Sequence, residues 1–366
     1  MTTLFSPISI GSMIVKNRFV RSATQDFLGN IDGSISDDEV ALYETLAKND
    51  VGIIITAHSY VMHPLGRASI RQNGIYDDCF IAGYRKLADA VHKHGSKLIM
   101  QISHAGRQTS LSLTENNLPM APSAVTDNST GITPREMTEA EIWQLIDDFA
   151  AAMARSDAAN CDGVQLHIAH GYALSQFISP YTNRRNDDWG GSVENRTRIL
   201  KEILLRGRKL VGSDYPILVK LNSTDGFTGQ EYLSLNDVLF TAKLLENLGV
   251  CAIEVSGGIK EAKGAMSRPG IIRPEQEAYF DKAAQAIKNT VNIPVILVGG
   301  LRSLKVMENV LENGTADMIA ISRPFIKEPD LIVRLREKQQ LKASCISCNA
   351  CFNPSGLKCY CKSEKD

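Results

Sequence analysis

The chain has 366 residues, 43% of them hydrophobic, with 40 lysines and arginines against 41 aspartates and glutamates and a formal net charge of -1. That balance permits a large core and lacks the basic excess that would draw nucleic acid or an anionic membrane surface, so a small, near-neutral ligand is the expected partner. The N-terminus MTTLFSPISIGSM has no charged segment followed by a long apolar one, and no later stretch reaches the roughly 18 apolar residues that span a bilayer, so the expectation is a soluble, cytoplasmic protein.

Short apolar, β-branched runs recur along the chain: RFVRSA from Arg18, VGIIITA from Val51, KLIMQIS from Lys97, GVQLHI from Gly163, PILVKLN from Pro216, VCAIEV from Val250, IPVILV from Ile293 and ADMIAIS from Ala316. Near-continuous runs of this kind mark parallel strands covered on both faces. Between them lie amphipathic stretches with capping-box signals, Ser36-x-x-Glu39 and Thr138-x-x-Glu141, where hydroxyl and carboxylate each satisfy a backbone amide. Strand and helix alternate to the end. About eight such repeats predict an α/β chain closed as a single-domain (β/α)8 TIM barrel over residues 1–342, rather than an open doubly wound sheet. A cysteine-rich tail follows at 343–366. The connection from His104 to Met137, rich in Ser, Thr, Asn and Pro, predicts an excursion over the barrel mouth.

In such barrels the loops after the strands carry the chemistry. Gln101 and Lys220 fall at the ends of the third and fifth strands, where inward polar side chains need a partner. A planar polar ligand would supply one; the alternative is that they hydrogen-bond each other or barrel carbonyls. After the fourth strand, His167 and His170 stand three apart, with Tyr172 beside them. Neutral histidines can donate to one carbonyl oxygen, and a tyrosine, protonated at neutral pH, can act as an acid. A metal would need further ligands, with Asp225 and Glu254 the carboxylates on offer. The run Asn183-Arg184-Arg185, Asp187-Asp188, Trp189-Gly190-Gly191-Ser192 reads as scaffold: arginine–carboxylate pairs, a glycine turn, and Ser192 as helix cap with Glu194 behind it. Gly299, Gly300 and Arg323 follow the last two strands, where barrels commonly bind phosphate; a tight turn and a surface arginine are the competing account. No G-x-G-x-x-G or Walker loop occurs. In the tail, Cys345-x-x-Cys348-x-x-Cys351 with Cys359 or Cys361 suits an iron–sulfur cluster or structural zinc, the alternative being reduced surface thiols.

From Leu4-Phe5-Ser6-Pro7 and Lys16-Asn17-Arg18 through QISHAGR, PREMT, DGVQLHIAHGY, SQFISPYTNRRNDDWGGSVENR and the VGG and SRPF strand ends, the chain resembles the old yellow enzyme family of FMN-dependent NADH:flavin oxidoreductases. That family includes the barrel portion of dienoyl-CoA reductases and trimethylamine dehydrogenase. The resemblance implies FMN as cofactor, NAD(P)H as co-substrate, and Ala23, Thr24, Ala57, Gln101, Lys220, Gly299, Gly300, Ser322 and Arg323 as the residues that hold FMN. It implies that Lys220 sits near the pyrimidine side of the flavin, where positive charge stabilises the reduced form. It also makes His167 and His170 the pair that grips a substrate carbonyl and Tyr172 the proton donor in reduction of an enone or similar small molecule. A homo-oligomer is expected by the same resemblance. Many relatives carry arginine at the position of Lys220, and Gln25 and Phe27 stand where one subgroup has Cys and Tyr. Other readings stay open: an amine dehydrogenase or demethylase, suggested by the tail and by Trp189; a flavin and iron–sulfur electron carrier; and a metal-dependent barrel lyase or hydrolase.

Overall fold

The eight apolar runs form eight parallel strands: β1 Phe19–Arg21, β2 Ile53–Ile55, β3 Lys97–Ser103, β4 Gly163–Ile168, β5 Ile217–Asn222, β6 Ala252–Ser256, β7 Val295–Leu297 and β8 Met318–Ile321. Each pairs with the next in sequence, and β8 returns to β1 through Ile319 opposite Phe19, so the sheet closes on itself as a (β/α)8 barrel. Closure removes the unpaired edges that an open sheet would expose. The computed structural model describes residues 3–229 and 231–361.

Two cores follow from strands covered on both faces. The inner one contains Val20, Ile53, Ile55, Ile99, Leu218, Ala252, Ile296, Met318 and Ala320, with Ile10, Met13 and Val15 from an antiparallel N-terminal hairpin, Ile8–Ile10 against Met13–Val15, packed into it. The outer one packs the opposite strand faces against the helices. Helix α1 (Asp37–Lys48) starts at a Ser36–Glu39 capping box, α2 spans Ile81–His92, and α3 (Glu139–Ala158) starts at a Thr138–Glu141 box. Each such cap contributes about 1 kcal/mol. Short α4 (Ala173–Ile178) follows β4 and leads to α5 (Val193–Val211), capped by Ser192. The remaining helices are α6 Leu235–Asn247, α7 Asp281–Lys288, α8 Leu304–Glu312, α9 Arg323–Lys327 and α10 Leu331–Arg336. Among the described residues no helix is long and apolar enough to cross a membrane.

The long third connection reaches across the molecule, as its length predicts. Arg107, buried, donates to Glu261 Oε2 at 2.8 Å and to the carbonyl of Thr126 at 2.7 Å, while the amide of Asn128 donates to Glu261 Oε1. This ties the excursion to the loop after β6.

Candidate active site

Side chains alternate along a strand, so every second residue points into the barrel. In β3, β5 and β6 the inward series begins apolar, at Ile99, Leu218 and Ala252, and turns polar two residues later, at Gln101, Lys220 and Glu254. Gln165 of β4 joins this polar layer, because the register sets it opposite Gln101, and sets Lys220 opposite Glu254. Gln101 Nε2 donates to Gln165 Oε1 (2.6 Å), and Gln165 Nε2 donates to Glu254 Oε2 (2.9 Å). Glu254 Oε1 accepts from Ser22 Oγ (2.6 Å) and pairs with Lys220 Nζ (3.2 Å), which also donates to Ser22 Oγ (2.8 Å). All five residues are buried. A charge pair is tolerated in such a place only when both partners and their remaining hydrogen-bonding atoms are satisfied, and here a continuous polar chain does that.

Above this floor four rings meet. His167 lies 5.1 Å from His170 and 5.0 Å from Tyr172, centroid to centroid, and His58, from the loop after β2, lies 4.7 Å from Tyr172 and 5.8 Å from His167. The chain turns sharply to bring them together. His170 has φ 65°, left-handed and costly for a residue with a Cβ, and Gly171 has φ 81°, a left-handed conformation that favours glycine, with Gln108 Oε1 2.8 Å from where a Cβ would stand. His170 Nε2 contacts Ser256 Oγ at 2.7 Å. His167 Nδ1 is buried with no partner among the described residues.

Burial sets the protonation states. Desolvation, reinforced by His170, by His58 and by the Lys220 cation, holds His167 well below its usual range, and desolvation with Lys220 and His58 does the same for His170. His58 is lowered to about 4 by desolvation and Lys220. The Tyr172 phenol is pushed up to about 12 by desolvation, against the opposing effect of a hydrogen bond with the Gln108 side chain. The site therefore presents neutral imidazoles and a protonated phenol at neutral pH.

A cavity of about 210 Å³ opens over these groups at the carboxyl ends of the strands. Ala23, Thr24, Gln101, His167, His170, Tyr172, Lys220, Gly300, Ser322 and Arg323 line it, so most residues singled out from the sequence come together. Ala57 and Gly299 lie outside the lining: the Ala57 amide donates to Tyr43 Oη at 2.8 Å, and the Gly299 carbonyl accepts from the Tyr279 amide at 3.2 Å. Ser322 Oγ and Thr24 Oγ1 are hydrogen-bonded at 2.8 Å. The lining also includes residues that sequence reasoning passed over, among them Ser22, His58, Ser256, Met266, Tyr279 and Phe352. His58 carried a usable signal, a histidine three residues past a strand; Tyr279 and Phe352 carried none, since they arrive from loops far along the chain.

The carboxylates considered as metal ligands are engaged elsewhere. Glu254 belongs to the floor, and Asp225 Oδ2 accepts from Ser179 Oγ and from the Leu233 amide. Trp189 is buried against Trp143, ring centroids 5.1 Å apart, with Arg198 over its face, and has no place in the cavity lining. The polar run around it is stitched as its charges predict, Arg185 holding Asp187 at 2.6 Å and donating to the carbonyls of Pro122 and Met137.

In the tail, Cys345, Cys348, Cys351, Cys359 and Cys361 line a second small cavity of about 20 Å³, and Arg323 lines both cavities. Among the described residues no group of three or more His, Cys, Asp or Glu side chains is arranged to hold a metal ion, and burial pushes the Cys345 and Cys351 thiols up. Residues 362–366 of the tail lie outside the described residues.

Comparison with known proteins adds an independent line. The profile of the NADH:flavin oxidoreductase / NADH oxidase family matches residues 3–342. An NADH oxidase of Thermoanaerobacter brockii is 40% identical over 347 residues, which are 94% of this chain and 52% of that protein. An NADPH dehydrogenase of Clostridium acetobutylicum is 32% identical over 330 residues, 90% of this chain and 93% of that one. Among solved structures, a 2-naphthoyl-CoA reductase in complex with 2-naphthoyl-CoA superposes with a TM-score of 0.88 at 30% identity, covering 96% of this chain and 54% of the other. The chain thus spans about half the length of the first and third of these relatives.

Proposed function

Because the chain belongs to the NADH:flavin oxidoreductase / NADH oxidase family, we propose that it is an FMN-dependent oxidoreductase of the ene-reductase type, using NAD(P)H and acting on an electron-poor C=C bond conjugated to a carbonyl. The observation that carries this reading is His167 Nδ1, a buried nitrogen without a partner, on a neutral ring beside a second neutral histidine and a protonated tyrosine. An unpaired buried polar atom is costly unless a ligand completes it.

Family membership implies FMN, and the residues present fit it. Both polar atoms of the Gln25 side chain are buried without partners at the cavity wall, and Lys220 brings a cation to the floor. Ala23, Thr24, Gln101 and Lys220 would hold the ring system, and Gly300, Ser322 and Arg323 the phosphate; Ala57 and Gly299 would act from behind the lining. Bound FMN supplies hydride transfer to an electron-poor carbon, with NAD(P)H as the source of electrons.

The protein's own groups do the rest. His167 and His170 donate to the carbonyl oxygen of the substrate, drawing electron density toward it and leaving the β-carbon open to attack. Neutral rings suit this task, since each can donate without adding charge to a site that already holds Lys220. As negative charge builds at the α-carbon, Tyr172 Oη supplies the proton, and Gln108 hydrogen-bonds the phenol. The α-carbon gains a C–H bond as the Tyr172 O–H bond breaks, and solvent restores the phenol.

The purified protein should show flavin absorption bands, oxidise NADH or NADPH with an enone, and bind a phenol that perturbs those bands. His167→Ala should weaken phenol binding roughly tenfold, the loss of about one buried hydrogen bond. A colourless protein, or turnover of secondary amines with none of enones, overturns the reading. The tail thiols would offer soft donors to an iron–sulfur cluster or zinc, which iron and zinc analysis of protein purified without oxygen tests.

A further inference from the structure

We propose that Asn349, in the cysteine-rich tail, is a positioning residue that aims Arg323 at the phosphate of the bound flavin, which makes the tail part of the cofactor site. This rests on the reading of the cavity as an FMN site. Arg323 stands directly after β8 and is buried. Its Nη1 donates to Asn349 Oδ1 at 2.6 Å, to the Arg268 carbonyl at 2.9 Å and to the Ser347 carbonyl at 3.4 Å. Its Nε and Nη2 have no acceptor among the described residues. A guanidinium anchored through one nitrogen and open on the other two presents the paired N–H edge that binds a phosphate in bidentate fashion.

Asn349 is itself fixed. Its Nδ2 donates to the Ser267 carbonyl at 3.0 Å, and Ser267 Oγ donates to its Oδ1 at 3.4 Å, while the Gly270 amide donates to the Ser347 carbonyl at 3.0 Å. These bonds join the tail to the loop after β6. Ser347 and Asn349 both adopt left-handed backbone, φ 56° and 62°, a conformation that persists only where surrounding contacts hold it and that asparagine tolerates better than most residues. Ser347 and Phe352 also line the flavin cavity, so the tail reaches the site directly.

The test compares FMN with riboflavin, which lacks the phosphate, by fluorescence titration of the full chain stripped of flavin. Wild type should prefer FMN, and Arg323→Ala should abolish the preference. Asn349→Gly deletes the amide and keeps the left-handed backbone. It should weaken FMN binding roughly tenfold, the effect of one hydrogen bond to a charged group, and leave riboflavin binding unchanged. If Asn349→Gly keeps the full preference while Arg323→Ala loses it, the positioning role is wrong and the phosphate site stands. Equal weakening of both flavins reduces Asn349 to packing and also overturns the proposal. A wild type with no preference for FMN removes the phosphate reading and this inference together.

Discussion

The polar floor makes the sharpest quantitative prediction. Glu254→Leu leaves the buried ammonium of Lys220 without its carboxylate and takes acceptors from Ser22 and Gln165. Removing one partner of a buried ion pair costs about 3–5 kcal/mol, a large part of the roughly 5–15 kcal/mol that holds a domain together. Lys220→Met should cost a similar amount by stranding the carboxylate. Replacing both with apolar residues of like volume removes the charges together, so the double variant Lys220→Met, Glu254→Leu should recover most of the loss, with a coupling energy of about 5 kcal/mol or more. The assay is urea unfolding of flavin-free protein followed by circular dichroism, because bound flavin would add its own linkage to the apparent stability. Additive single effects, or a Glu254→Leu loss below about 1 kcal/mol, would refute the reasoning and show that water or neighbouring dipoles carry the ammonium.

Tyr172→Phe should slow enone reduction by about 10²–10⁴-fold, the usual worth of a positioned acid, while reduction of the flavin by nicotinamide keeps its rate; equal slowing of both half-reactions in stopped-flow traces would contradict the assignment. The enone half-reaction should be flat from about pH 7 to pH 10, since Tyr172 is pushed up to about 12 and the histidines are already neutral; an alkaline limb near pH 8 would point to a different acid. Away from the site, burial and the charge of Asp26 push Glu39 up to about 8. A raised carboxyl contributes stability that is fully present below the ordinary carboxylate range and lost as pH rises through about 8, so melting temperature should decline from about pH 5 to pH 9. Glu39→Gln keeps an acceptor for Ser36 and Asn73 and should flatten that decline; parallel profiles would mean the slope has another source.

The strands were legible because each apolar run is buried on both faces, and the caps because Ser36, Thr138 and Ser192 act on amides three residues away. Local rules suffice for local bonds. Gln101 and Lys220 were legible as polar groups at strand ends, but their partners were not. Glu254 hides in VCAIEV, and the Ser22–Glu254 bond spans 232 positions, so only closure of the barrel brings the two together. Trp189 illustrates the converse: adjacency in sequence to a site-bearing segment suggested a role, yet its indole packs on Trp143 with the Arg198 guanidinium over its face. Arg323 was legible as a phosphate candidate from its place after the last strand, while its dependence on a tail read only for its cysteines required the fold.

Burial keeps the four rings above the floor neutral, while the floor keeps the cation beneath them paired. An ammonium has three donors. Lys220 Nζ donates to Ser22 Oγ and pairs with Glu254 Oε1, and Lys220 also lines the cavity. Glu254 thus balances the formal charge of the site, while desolvation by burial, with a further contribution from the Lys220 cation, holds His167, His170 and His58 low. A protonated imidazole there would compete for the substrate oxygen with a full charge and would bind anions indiscriminately. On the proposed carbonyl-clamp reading, the two neutral histidines would discriminate by geometry, donating to an oxygen between rings set 5.1 Å apart. Replacing Lys220 with methionine should therefore let His170 titrate closer to its ordinary range even where the fold survives.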